Sequence, residues 1–294
     1  MRVLIAGSSG LIGNALTARL RADGHEVVRL VRRETRRPGE YSWDPPAGRV
    51  GDGAFDGTDA VVNLCGAPLL PARWSAARKQ VILDSRIEPT EVLAEAVAEH
   101  GIPVLLNASA VGYYGDAGSA MLEESAPNGT GFLANLCAAW ENATEAAGDA
   151  RVVRLRTGLV LSGDGGLLGP LKPLFSLALG GKLGDGTQYM PWIAEEDHIS
   201  ALMFALTDEN LSGPVNVCGP LPVTNAEFTR EFGRVLNRPA PWWVPAPAMK
   251  LALGEAAEEM ALASQRAVPR ALEDAGFEFK HKTVGDALAA AVAR

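Results

Sequence analysis

The first thirteen residues constrain this chain more than any other stretch. Arg2-Val3-Leu4-Ile5-Ala6 is a short apolar run suited to a central buried strand, and Gly7-Ser8-Ser9-Gly10-Leu11-Ile12-Gly13 follows at once. Asn14 to Leu20 then has helix-forming composition. Strand, glycine turn and helix in that order are what a dinucleotide site requires. Gly7 allows a turn that a Cβ would obstruct, Gly10 lets backbone approach a pyrophosphate, and Gly13 lets the helix pack close to the strand. N–H groups around Ser9, Leu11 and Ile12 then face the phosphates, with the helix dipole behind them. A plain βα turn also uses glycine, and the spacing here is G-x-x-G-x-x-G rather than the commoner G-x-G-x-x-G. The flanking strand and helix favour the cofactor reading.

The second strand, His25 to Val31, ends in Arg32-Arg33, where an NAD-binding protein carries a carboxylate for the ribose 2′-hydroxyl. Glu34 lies beyond both arginines. Guanidinium groups grip a 2′-phosphate through charge-assisted bonds, so NADP(H) is the expected cofactor, against a merely solvated basic edge extended by Arg36 and Arg37. Residues 38–57 are rich in Gly, Pro and Asp and read as loop. The strand Asp59 to Leu64 ends in Cys65-Gly66-Ala67, and the strand Ile102 to Ala108 ends in Ser109-Ala110-Val111-Gly112-Tyr113-Tyr114-Gly115. Carboxyl ends of strands are where open α/β sheets bind ligands, which makes Leu64, Cys65, Gly66 and Ala108 cofactor contacts and brings hydroxyl groups to the same edge. Ser75 to His100 reads as helix with a break near Pro89 and Thr90 as a second cap.

Net charge is −8, from 27 Lys and Arg against 35 Asp and Glu, which disfavours nucleic acid or an anionic membrane as partner. Three scattered cysteines lack metal or disulfide spacing, no apolar run reaches membrane length, and a cytoplasmic protein acting on a small molecule is expected. Glu195-Glu196-Asp197-His198 reads as an acidic helix start rather than a metal site, and no metal is expected. Trp242-Trp243, in a segment with four prolines, lies over the cleft or on another subunit; a homodimer is one expectation.

These motifs resemble the extended short-chain dehydrogenase/reductase superfamily, and more closely a subgroup labelled "epimerase family protein". The resemblance rests on the opening glycines, Asn63-Leu64-Cys65-Gly66, Arg73-Trp74, Ser85-Arg86, Ser109 to Gly115, Trp140-Glu141 and Arg156-Thr157-Gly158. Gly184 to Gln188, Trp192-Ile193 and Gly276-Phe277 extend it over nearly the whole chain. It implies a Rossmann-type doubly wound parallel sheet with a smaller, mostly helical C-terminal substrate lobe. Residues 1–165, completed by 195–220, would form the NADP-binding domain, and 166–194 with 221–294 the substrate lobe.

The superfamily's Tyr-x-x-x-Lys pair does not carry over: Phe132 and Leu136 stand in those places, and neither transfers a proton. The resemblance makes Ser109, Tyr113, Tyr114 and Arg86 the catalytic candidates, with Glu123 or Cys137 assisting. Arg73, Trp74, Gln188 and Trp192 become substrate contacts, although each tryptophan serves equally well as packing. Two functions follow: an NADP-dependent oxidoreductase or epimerase-like enzyme on a small polar substrate (a carbonyl compound or sugar nucleotide), or a catalytically silent NADP(H)-binding sensor or scaffold.

Overall fold

The computed structural model describes residues 1–70 and 73–293. Six strands come from the first 110 residues: β1 (Arg2–Ala6), β2 (Glu26–Val31), β3 (Glu40–Asp44), β4 (Arg49–Val50), β5 (Ala60–Asn63) and β6 (Val104–Ala110). With Arg151–Thr157 and Gly213–Val217 they form one eight-stranded sheet. Its order runs from Gly213–Val217 through Arg151–Thr157, β6, β5, β1, β2 and β3 to β4. Every neighbouring pair is parallel except β3 with β4. Helices cover both faces, so β1 and β5 are runs of buried apolar residues rather than alternating ones. β1 pairs with β2 on one side and β5 on the other, so chain order reverses there and opens a crevice at the strands' carboxyl ends.

Two local expectations are corrected. Residues 38–57 are not mainly loop: Glu40–Asp44 pairs with β2, and Trp43 buries its indole beside Leu30, Val50 and Phe55. Ala76–Glu99 is one unbroken helix, α2, with Pro89 inside it. Thr90 is no cap. Its buried hydroxyl donates to the Arg86 carbonyl at 2.7 Å and accepts from Asn63 at 2.8 Å and from the Trp140 indole at 3.0 Å. Those tertiary bonds, with Ile82, Leu93 and Val97 in the core, hold α2 through a residue that would otherwise end it. The other helices used below are α1 (Leu11–Ala22) and α3 (Phe132–Asn142).

Beyond the sheet, the C-terminal part packs Phe175, Trp192, Phe228, Phe232 and Leu288 into a second core of short helices and two- or three-stranded ribbons. Thr224 and Glu227 close the expected capping box on the Asn225–Val235 helix. Glu195, Glu196 and Asp197 occupy the first turn of the Glu195–Thr207 helix, and no metal-binding group occurs among the described residues. None of the described helices is long and apolar enough to cross a membrane.

His198, on that helix, is 2% exposed; its Nε2 meets the Thr157 hydroxyl at 3.3 Å and its Nδ1 has no hydrogen-bond partner among the described residues. Burial holds its pKa down at about 4, against 6.5 for a free imidazole. The unfolded chain takes up this proton from pH 6.5 downward while the folded chain refuses it until about 4, so stability falls across that window. A loss of roughly 3 kcal/mol between pH 7 and 4 is expected, measured by urea unfolding. His198→Gln should flatten the profile; an unchanged slope would refute the assignment.

Candidate functional site

The crevice predicted by the topology is a groove of about 630 Å³, running from the glycine turn past the ends of β2 and β5 to Ser85 on α2. Its floor requires glycine. Gly7 has φ +80°, and a Cβ there would stand 2.6 Å from the Leu64 carbonyl. A Cβ on Gly13 would stand 2.4 Å from the Gly7 carbonyl oxygen. Gly10 is the N-cap of α1, with no side-chain cap and no acidic residue in the first turn, so the N–H groups of Leu11 and Ile12 have no hydrogen-bond partner among the described residues. Such a cradle fits an anionic diphosphate.

The two arginines ending β2 have different jobs. Arg33 donates both terminal nitrogens to Glu40 at 2.8 and 2.9 Å, so the expectation of a pair of phosphate-gripping guanidinium groups is corrected. The carboxylate missing from β2 in sequence arrives from β3, because register places Glu40 opposite Arg29. Arg33, followed by the Arg36 N–H, holds the Glu40 pKa down at about 2. Arg29 lies 3.7 Å from Glu40 and donates through Nε to the Ser8 hydroxyl at 3.0 Å, tying β2 to the glycine turn. Arg32 is exposed on the groove and forms no ion pair among the described residues, which leaves it as the guanidinium available there.

Across the groove, Cys65 is no proton donor near neutrality, because burial raises its thiol to about 12. Arg86 lies flat against Gly66, where a Cβ would meet the guanidinium at 3.0 Å, and 5.2 Å from the Trp140 ring on its other side. It donates to the carbonyls of Ile82 and Ala67 at 2.9 and 3.1 Å, and no carboxylate pairs with it among the described residues. Burial pulls its pKa down accordingly.

Ser109, Tyr113 and Tyr114 gather around an ion pair that sequence reading passed over. Glu141, from α3, takes Arg156 in a fork of two 2.8 Å bonds, and both side chains are buried. Ser109 is 3% exposed and donates to Glu141 at 2.7 Å, so its hydroxyl proton is held by the carboxylate. Tyr114 donates to Asn216 at 2.7 Å and accepts from Arg156 at 3.0 Å; burial raises its phenol to about 12 despite the nearby cation. Burial lowers Arg156 and Glu141's hydrogen bonds raise it, with a net upward direction. Tyr113 stacks on the Arg156 guanidinium at 3.5 Å, and its hydroxyl has no hydrogen-bond partner among the described residues. Cys137 is fully buried with its thiol raised to about 12 by burial, and Glu123 pairs with Arg270. The clue to this network was a charged residue at the buried end of an interior strand, Arg156.

Beside α3 lies a pocket of about 350 Å³, walled by Gly112 and Leu133 on the sheet side and by Lys250, Glu258 and Glu259 on the C-terminal side. Glu259 accepts from the N–H groups of Phe132 and Leu133 at 2.8 and 2.6 Å, capping the helix that would carry Tyr-x-x-x-Lys. Arg73 donates to the Ala252 carbonyl, and Trp74 packs edge-on against Phe132, so both brace this wall. The other expected substrate contacts lie elsewhere. Trp192 is 1% exposed with its indole donating to the Leu221 carbonyl, and Gln188 is buried between the Leu183 and Ala261 carbonyls. Both are packing residues, because the C-terminal segment folds over them.

A doubly wound sheet with a glycine cradle at its switch point defines a Rossmann-type nucleotide-binding protein. The chain belongs to the NAD dependent epimerase/dehydratase family, whose model matches residues 3–218; a domain of unknown function, DUF1731, matches residues 244–291. It is 55% identical to the epimerase family protein Mb2239 of Mycobacterium bovis, over 99% of this chain and 98% of that one. The crystal structure of human epimerase family protein SDR39U1 (isoform 2) with NADPH superposes with a TM-score of 0.93, at 34% identity, covering 100% and 99% of the two chains. A nucleoside-diphosphate sugar epimerase from Corynebacterium glutamicum gives 0.81 at 41% identity; this chain spans 99% of itself and 58% of that longer chain.

Proposed function

We propose that the protein is an NADP(H)-dependent oxidoreductase or epimerase-like enzyme acting on a small polar carbonyl compound or alcohol. The observation that carries it is Arg86: a half-buried guanidinium without a carboxylate partner among the described residues, set against Gly66 of the groove wall. A half-buried cation held only by neutral carbonyls is completed by a ligand's electron-rich oxygen. A nicotinamide dinucleotide held in the groove supplies a hydride donor or acceptor. The glycine cradle would hold its diphosphate, Arg32 would meet the 2′-phosphate, and Arg86 would stabilise negative charge on a reacting oxygen. Tyr113 offers the hydroxyl of the three candidates that is not already committed inside the chain, and would give its proton to the substrate's carbonyl oxygen as hydride reaches the carbon, taking it back from the alcohol in the reverse direction.

Three carboxylates, Asp116, Glu258 and Glu259, against one lysine, Lys250, give the pocket beside α3 a negative balance. That charge repels a nucleotide diphosphate and favours an uncharged carbonyl substrate over a sugar nucleotide. The committed state of Ser109 and Tyr114, with Phe132 and Leu136 in the family's catalytic places, favours the second reading, a silent NADP(H) sensor.

Purified protein, titrated with NADPH and NADH and then offered a carbonyl panel, tests both readings. Oxidation of NADPH, lost in Arg86→Ala with binding retained, is the expected result. Tight binding without turnover, together with partner capture that differs between NADPH and NADP⁺, would replace the enzyme by the sensor. Arg32→Ala should weaken NADPH roughly 10- to 100-fold and leave NADH nearly unchanged, since a charge-assisted contact contributes about 1.5–3 kcal/mol.

A further inference from the structure

The surface carries an apolar edge that none of the chemistry above uses. Trp242–Val244 pairs in parallel with Gly181–Leu183 as an isolated two-stranded ribbon. Consecutive strand residues point to opposite faces, yet Trp242 is 56% and Trp243 58% exposed, so the Trp242–Val244 strand is open on both faces while Gly181–Leu183 is half-buried. Two strands alone are marginal in water; three or more are needed for a stable sheet. Leu174, Leu177 and Leu179 continue the exposed surface, joined to the ribbon by the Trp242 indole donating to the Ala178 carbonyl at 2.8 Å. These side chains with Val244 expose on the order of 600 Å² of apolar area, the upper limit for a monomer's largest patch and close to the roughly 800 Å² each partner contributes to a stable interface.

The free edge specifies what completes it. The Gly184 N–H donates to the Val244 carbonyl, so Trp242 and Val244 point their backbone groups at the neighbouring strand. Alternation then turns the Trp243 N–H and C=O outward, where no strand pairs with them among the described residues. One outward residue at the centre of a three-residue strand is self-complementary about a two-fold axis, since antiparallel Trp243 residues exchange both bonds. Pro241 and Pro245 flank the strand and have no N–H, so pairing stops at these residues and closes as a dimer rather than a fibre.

We infer that two copies of this chain associate through antiparallel pairing of the Trp242–Val244 edges, forming a four-stranded sheet with the tryptophans and the Leu174–Leu179 surface at its core. Sedimentation equilibrium over 1–100 μM on the full chain, with Trp243→Lys and Trp243→Pro, tests it. A dimer in the parent and at least a tenfold weaker association in both variants is expected, with circular dichroism and thermal midpoint retained to show folding. Amide exchange supplies a second reading: Trp243 N–H protection should rise with concentration. A monomer at every concentration would overturn the inference, and so would a dimer that survives both substitutions or an unprotected Trp243.

Discussion

Gly13→Ala is expected to lower NADPH affinity at least ~100-fold while leaving the protein folded, the largest effect available from one methyl group here. The added Cβ would lie 2.4 Å from the Gly7 carbonyl oxygen and 2.7 Å from the Ser8 Cα, and both are backbone atoms that cannot rotate away. The turn must move, and its N–H groups leave the positions that face the diphosphate. Several kcal/mol of directed bonding to an anion are lost together, which is why the effect exceeds that of removing Arg32. Fluorescence titration with NADPH, alongside circular dichroism, measures it. Affinity within threefold of the parent would show that the cradle is not where the cofactor's phosphates sit.

The second large effect falls on stability. Glu141→Gln is expected to cost about 3–5 kcal/mol, the range for stripping one partner from a buried pair. Arg156 would then be buried with a neutral amide in place of a carboxylate, while Ser109 loses its acceptor charge. A thermal midpoint lower by on the order of 10 °C follows. Replacing both members, Glu141→Met with Arg156→Met, should recover part of the loss, because no lone charge remains buried. If Glu141→Gln unfolds like the parent, the pair is not what joins α3 to the Arg151–Thr157 strand. The same substitution also reports on function, since Tyr113 rests on the Arg156 guanidinium that Glu141 positions.

The two effects fall on features that were unequally visible in sequence. The cradle was legible residue by residue, because its requirements are local: a positive φ at Gly7, no Cβ at Gly13 and a helix starting between them. The preference for a phosphorylated cofactor was legible in kind but not in detail. Arg32 and Arg33 are adjacent in sequence, yet Glu40, seven residues on, takes one of them out of use through strand pairing. Pro89 misled for a similar reason. A proline's local preference was overridden by Thr90, Asn63 and Trp140, which come from three separate elements. Ser109 and Tyr114 look reactive in a string of letters; in the fold their hydroxyls are already spent on Glu141 and Asn216, the latter 102 residues away.

What the chain's order alone determined is therefore the part governed by neighbours: buried strands, the glycine turn, the helix entered at Gly10, and the expectation of a doubly wound sheet. Tertiary structure alone decided which polar groups stay available for chemistry. The physical reason is that desolvation and hydrogen-bond satisfaction depend on what lies within about 3 Å in space, and burying a charge demands a partner from wherever the fold brings one. Arg33, Arg156 and Ser109 found theirs; Arg32 and Arg86 have no carboxylate partner among the described residues, and on them the proposed activity rests.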